Sequence, residues 1–212
     1  MQTNLKAMRK YDAGLILTTV LAAVAFVFVL MNLSPATSVS PRYSQLSYLK
    51  EVNGKTFDFN NIIQTPANDW SPIASPVNLG MDTDVYWFSM IVEPTQSNQS
   101  RALLHIDYPL LDKLDVAVYS QVGSKPIVTY SSGDKQSFED RPITHVKPLF
   151  PLPASAQSQR VIIKMQTSGT IRLPILIWEE TEFIEYTSSR NLVLGIFFGI
   201  LIAMGVSNAF LT

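Results

Sequence analysis

No cysteine occurs among the 212 residues, which removes disulfides, thiolate metal sites and cysteine nucleophiles together. Histidine is nearly as scarce. His105 and His145 are the two present, and no HExxH, GxSxG, P-loop or GxGxxG pattern accompanies them. Each lies in or beside an apolar strand-like run and reads as a packed or hydrogen-bonded structural residue rather than a base or a metal ligand. Charge is thin as well: 16% of residues are charged, the formal net charge is -1, and no dense Lys/Arg cluster offers a footprint for nucleic acid. No enzyme, metal centre or cofactor is expected from such a chain, and a domain without disulfides must hold itself together by burying a core.

What the sequence does have is two long uncharged apolar runs. The first spans 13–33 and follows Lys6, Arg9 and Lys10, a basic flank that belongs in the cytoplasm. Residues 1–12 are therefore expected inside and everything after Leu33 outside. The run reads equally as a retained membrane anchor or as a signal peptide, with small-residue cleavage sites at Ser34-Pro35-Ala36 and Ala36-Thr37-Ser38. The second run, within 191–212, is NLVLGIFFGILIAMGVSNAFLT, long enough to cross a hydrocarbon core of roughly 30 Å as a helix. Gly195 and Gly199 form a small-xxx-small pair that suits close helix packing, and Asn208 is a polar group expected to face a partner helix. Glycine is also simply frequent in membrane helices, the alternative reading of the pair.

Between the runs the pattern is β. Segments 85–92 (VYWFSMIV), 102–107, 114–119 (LDVAVY), 127–130, 145–150, 161–165 and 171–178 are short and rich in branched and aromatic residues. In LDVAVY the alternation predicts Leu114, Val116 and Val118 on one sheet face. Gly123-Ser124, Gly133-Asp134 and Ser168-Gly169 supply turns, and Pro174 suits an edge strand or a strand start. Residues 34–55 read as a linker that adds at most a short strand or turn. The expected fold is an all-β sandwich of the jelly-roll kind over 56–187, flanked by two transmembrane helices.

Tyr86-Trp87-Phe88, then LLHIDYPLLDKLDVAVY at 103–119, Gly133-Asp134 with Phe138 and Arg141-Pro142, Phe150-Pro151-Leu152, and LPILIW at 173–178 running into the second apolar segment together resemble the bacterial 7TMR-DISM receptors. The match covers the second type of extracellular domain (7TMR-DISMED2) and the first helix of the seven-helix unit. The resemblance implies a periplasmic jelly roll similar to carbohydrate-binding modules, at the inner membrane, coupled through seven helices to a diguanylate cyclase or histidine kinase. On that reading the chain is the amino-terminal part of a longer receptor, with its output beyond Thr212.

A small polar or carbohydrate-like ligand is the expected partner besides the membrane. Aromatic faces stack on sugar rings while carboxylates, amides and Arg satisfy hydroxyls, which makes Trp87, Tyr108, Trp178, Asp134 and Arg141 the candidates. The resemblance singles out Arg141, whose fork suits a carboxylate or ligand oxygen. Each has a structural alternative: core packing for Trp87 and Trp178, a turn for Asp134, and a surface pair with Asp134, Glu139 or Asp140 for Arg141. Asp107, Asp112 and Asp115 are either a Ca²⁺ cluster or solvated turn carboxylates, the latter preferred. Trp70, in NDWSPIASP, either caps the sandwich or lines a ligand entrance. The competing function is a protein-interaction or homodimerisation module with no small ligand.

Overall fold

A computed structural model describes residues 42–52, 56–94 and 101–211, the last five by backbone alone, together with Thr19, Ala22, Ala23 and Phe26. Eleven strands among these residues form three antiparallel sheets. The largest has six strands in the order β2-β1-β4-β9-β6-β7, built from β1 (Tyr43–Lys50), β2 (Ser71–Pro72), β4 (Tyr86–Val92), β6 (Lys113–Ser120), β7 (Val128–Ser132) and β9 (Gln159–Gln166). Strands β3 (Val77–Met81) and β10 (Thr170–Leu173) form a two-stranded sheet, while β5 (Ala102–Ile106), β8 (Leu149–Pro151) and β11 (Ile175–Glu179) form a three-stranded one in the order β11-β5-β8.

The main core joins one face of the six-stranded sheet to the two smaller sheets. It contains Leu114, Val116 and Val118, as the alternation predicts, along with Tyr86, Phe88, Met90, Val161 and Ile163 from the large sheet and Leu104, Ile106, Phe150, Ile171, Leu173, Ile175 and Ile177 opposite. This is a β-sandwich. On the other face of the same strands several intervening residues are buried as well, while Ser89, Ile91 and Arg160 stay partly exposed. Trp87, Ala117, Tyr119 and Ile162 form a second core with Ile62, packed by Phe57, Phe59, Ile63 and Trp70 from the segment before β2. Coverage on both faces explains why β4 reads YWFSMIV, a continuous apolar run instead of a polar alternation.

Segment 56–70 acts as a flap over that second core and is held in shape by its own turn. The Asp58 carboxylate accepts from the backbone N–H groups of Asn60 (2.9 Å) and Asn61 (2.8 Å), which lowers its pKa. Two 3-10 turns, Ile62–Gln64 and Ala67–Asp69, follow and lead to Trp70.

Three expectations need correction. The stretch 34–55 reads as a linker with a short strand or turn; its residues 43–50 form a full eight-residue strand, β1, paired to β4 through six registered positions. Its polar letters (YSQLSYLK) hide it, because a bulge breaks the alternation. The predicted strand 145–150 is only Leu149–Pro151, because the carbonyls of His145 and Val146 accept from Arg141 Nη1 at 2.8 and 3.0 Å. Finally, 171–178 is two strands. Pro174 lies between them, β10 pairing with β3 and β11 with β5, so the chain changes sheets at the residue that has no N–H to donate.

Strand β11 passes into helix α1 (Glu180–Leu211) with no intervening residue. Glu182 reaches back to the N–H of Glu179 at 3.2 Å, as in a capping box, and Glu180 and Glu182 place negative charge at the helix N-terminus. Residues Glu180–Val206 include a stretch long and apolar enough to cross a membrane. Beyond Leu192 several of its large side chains, among them Phe198, Leu201 and Ile202, are exposed, while Val193 is buried, and a Cβ added at Gly195 or Gly199 would meet nothing within 4 Å. The first apolar segment, 13–33, and the Asn208 side chain lie outside the described residues, apart from four helical positions; one of these, Phe26, stacks on Phe197 with ring centroids 4.6 Å apart.

Candidate functional site

The aromatic candidates in the strands are core residues. Trp87 is fully buried, its Nε1 donating to Glu51 Oε1 at 2.7 Å and its ring meeting Phe59 edge-on at 5.3 Å. It therefore offers no face to a ligand, because the flap occupies that face. Trp178 is likewise buried and donates Nε1–H toward His105 Nδ1 at 3.3 Å. His105 is buried too and stands edge-on to His145, ring centroids 5.7 Å apart, in keeping with structural roles for both.

The remaining candidates lie on loops. Tyr108 is partly buried against the main core, with the Arg172 guanidinium 5.8 Å from its ring centroid. Asp134 is exposed, and its N–H bonds the Leu111 carbonyl at 2.9 Å, which fixes it to the loop that carries Tyr108. Gly133 is required beside it, since a Cβ there would lie 2.2 Å from the Asp112 carbonyl oxygen. Arg141, expected to meet a ligand or a surface carboxylate, instead grips the His145 and Val146 carbonyls and lies 4.6 Å above the Phe138 ring. The three aspartates do not converge. Asp107 pairs with Lys147, Asp112 with Lys135 and Ser168, and Asp115 with Ser131 and Lys113.

Two clefts deserve comparison. One, of about 360 Å³, lies among loops and is lined by Thr83, Asp112, Lys135, Gln136, Thr167 and Ser168. It has no aromatic wall, and its charges satisfy each other: Lys135 Nζ is 2.6 Å from Asp112, an ion pair that pulls the Asp112 carboxyl below its usual range. The other, of about 430 Å³, lies on the outer face of the six-stranded sheet beside the flap, with Trp70, Gln45, Ser47, Thr65, Ser89 and Arg160 in its lining.

The second cleft follows from local backbone chemistry. Between the pairs Ser44↔Ile91 and Ser47↔Ser89, strand β1 carries one residue more than β4. This bulge puts Gln45 at φ 54°, a conformation rare for a residue with a Cβ. Its effect is to shift the strand's phase, so that Tyr43 and Leu46 both enter the main core while Ser47 lines the outer cleft. Backbone strain of this kind recurs at ligand clamps. Arg160 projects from β9 opposite Ile91 of β4 and Tyr119 of β6, neither of which carries charge to pair with it. The Tyr119 hydroxyl is neutral, its pKa pushed up to about 12 mainly by burial and then by the Asp58 charge, and it donates to the Phe59 carbonyl at 2.5 Å.

Among the described residues the Arg160 side chain makes no ion pair or hydrogen bond, and no carboxylate lines its cleft. Sequence reasoning placed Trp70 at either a cap or a ligand entrance; the structure packs it against the second core and also sets it in the wall of the cleft. Arg160, Gln45, Ser47 and Ser89 were missed. The signal for Arg160 was a cation two positions before Ile162 in QRVIIKMQ, on the face that Ile162 buries. The profile of the family described as 7TMR-DISM extracellular 2 matches residues 43–179, the span from the first residue of β1 to the last of β11. No curated protein matches the chain.

Proposed function

Because the chain belongs to the 7TMR-DISM extracellular 2 family, we propose that its β-sandwich is the periplasmic ligand-sensing input module of an inner-membrane signalling receptor. The ligand is a small polar molecule of carbohydrate character, held in the cleft between the flap and the outer face of the six-stranded sheet. One observation carries this reading: an indole wall (Trp70), an unpaired guanidinium (Arg160) and the hydroxyls of Ser47 and Ser89 share one cleft. A flat aromatic face with neighbouring donors and acceptors suits a sugar ring, which has an apolar face and a hydroxylated rim. The sandwich is then a carbohydrate-binding-like jelly roll, and occupancy is passed through α1 toward a cytoplasmic output such as a diguanylate cyclase or histidine kinase.

The test uses the full chain in detergent micelles. Thermal unfolding is followed against a panel of neutral and charged saccharides, with Trp70→Ala in parallel. The expected outcome is a compound that raises the wild-type Tm and leaves the variant unmoved. A panel without hits, combined with a stable dimer in solution, would favour an interaction module instead.

A further inference from the structure

We infer that the ligand is an acidic saccharide whose carboxylate is bound by Arg160, an inference that rests on the cleft assigned above. A guanidinium cannot lose its charge at any physiological pH. Arg160 is partly withdrawn from water on the sheet face, flanked across the strands by Ile91 and Tyr119. Proteins usually give a half-buried Arg a carboxylate or several carbonyls, as this chain does for Arg42, paired to Glu179 and Glu182, and for Arg141, seated on two carbonyls. Arg160 has no such partner. Within the flap, the Asp58 carboxylate is occupied by the N–H groups of its own turn, and neither it nor Asp69 is paired with Arg160.

A neutral sugar in this cleft would leave the guanidinium with hydroxyl acceptors alone, whereas a carboxylate matches its fork with two parallel charge-assisted hydrogen bonds. The remaining groups orient the same molecule. Ser47 and Ser89 are directly opposed on β1 and β4 and offer neutral donors and acceptors, and Trp70 supplies the stacking wall. A hexuronate fits this division of labour: one carboxylate, a hydroxylated rim and one apolar face.

Binding is measured by intrinsic tryptophan fluorescence and calorimetry on the full chain in micelles, with D-glucuronate, tetragalacturonate, methyl glucuronate ester and D-glucose as probes. Wild type is expected to bind the acids about ten- to a hundredfold more tightly than the ester or glucose. Arg160→Gln should erase that preference, and Arg160→Lys should keep part of it as a point charge without the fork. Unliganded melting temperatures verify that all variants are folded. Equal affinity for acids and neutral probes, or a preference that survives Arg160→Gln, overturns the assignment of the carboxylate while leaving the cleft in place so long as Trp70→Ala abolishes binding. Binding that survives Trp70→Ala overturns the cleft itself, and silence of the wild type toward all four probes overturns the acidic-saccharide assignment.

Discussion

Arg42 and Glu182 stand 140 positions apart in the sequence, and Arg42 Nη2 lies 2.9 Å from Glu182 Oε1. The same guanidinium reaches Glu179 through Nη1 at 3.1 Å. The residue just before β1 therefore ties down the last residue of β11 and the first turn of α1. Both groups are substantially solvated, so Arg42→Ala should cost at most about 1 kcal/mol of global stability. Its effect belongs to the helix start. Amide exchange at Glu179, Glu180 and Thr181 should accelerate in the variant while exchange in β4 and β9 stays unchanged; a global acceleration would make the pair a stability element.

Arg141 provides a second prediction. Its hydrogen bonds run to the backbone of its own loop, and loss of charge-assisted contacts to carbonyls is expected to cost about 1.5–3 kcal/mol. Arg141→Ala should lower the midpoint of urea unfolding accordingly and leave saccharide affinity as it is in wild type. A variant with normal stability and lost binding would return Arg141 to the ligand site.

The tryptophans should separate cleanly. Trp87→Ala removes a fully buried ring with an indole hydrogen bond and should cost about 3–5 kcal/mol. Trp70, partly exposed in a cleft wall, should cost clearly less when truncated and should carry the ligand response. Chemical denaturation and ligand titration of both variants check this; comparable stability losses would remove the distinction between core and wall.

Acid should weaken the fold through Asp82. Its carboxyl is held well below the usual range, first by the Lys50 ammonium, then by the Tyr86 hydroxyl and backbone N–H groups. A carboxyl with a folded pKa below its unfolded value binds fewer protons in the native state, so it contributes stability above its unfolded pKa. That contribution is lost as pH falls below about 4. Melting temperatures followed from about pH 6 down to about pH 2 should drop less steeply for Asp82→Asn than for wild type. Identical slopes would show that other carboxylates govern the acid response.

The strands of the main core were legible because their residues announce themselves: Leu114, Val116 and Val118 alternate, and Val161, Ile163 and Met165 repeat on the same face. Strand β1 was not, because the extra residue at its bulge scrambles the period and its buried residues lie among serines. For Trp87 the sequence left both core packing and ligand stacking open, since no local pattern reveals that the segment 56–70 covers the second face of the sheet. The backbone contacts of Arg141 were hidden for a related reason. Which partner an Arg finds depends on the path of its own loop, and a sequence does not record which carbonyls point inward. Arg160 is the converse case, an unremarkable strand cation whose significance comes entirely from what does not surround it.

The flap that carries Trp70 also carries Ile62, a fully buried residue of the second core. Any displacement of this segment would therefore disturb the cleft wall and that core together, and the two free energies would be linked. A ligand that binds only the closed flap stabilises the Ile62 packing by as much as that packing favours the ligand. Ile62→Ala, although it lies outside the cleft lining, would therefore weaken saccharide affinity, and saturating ligand would recover part of the stability lost. The sandwich would then report occupancy as a change in the order of one segment, with its eleven strands left as they are.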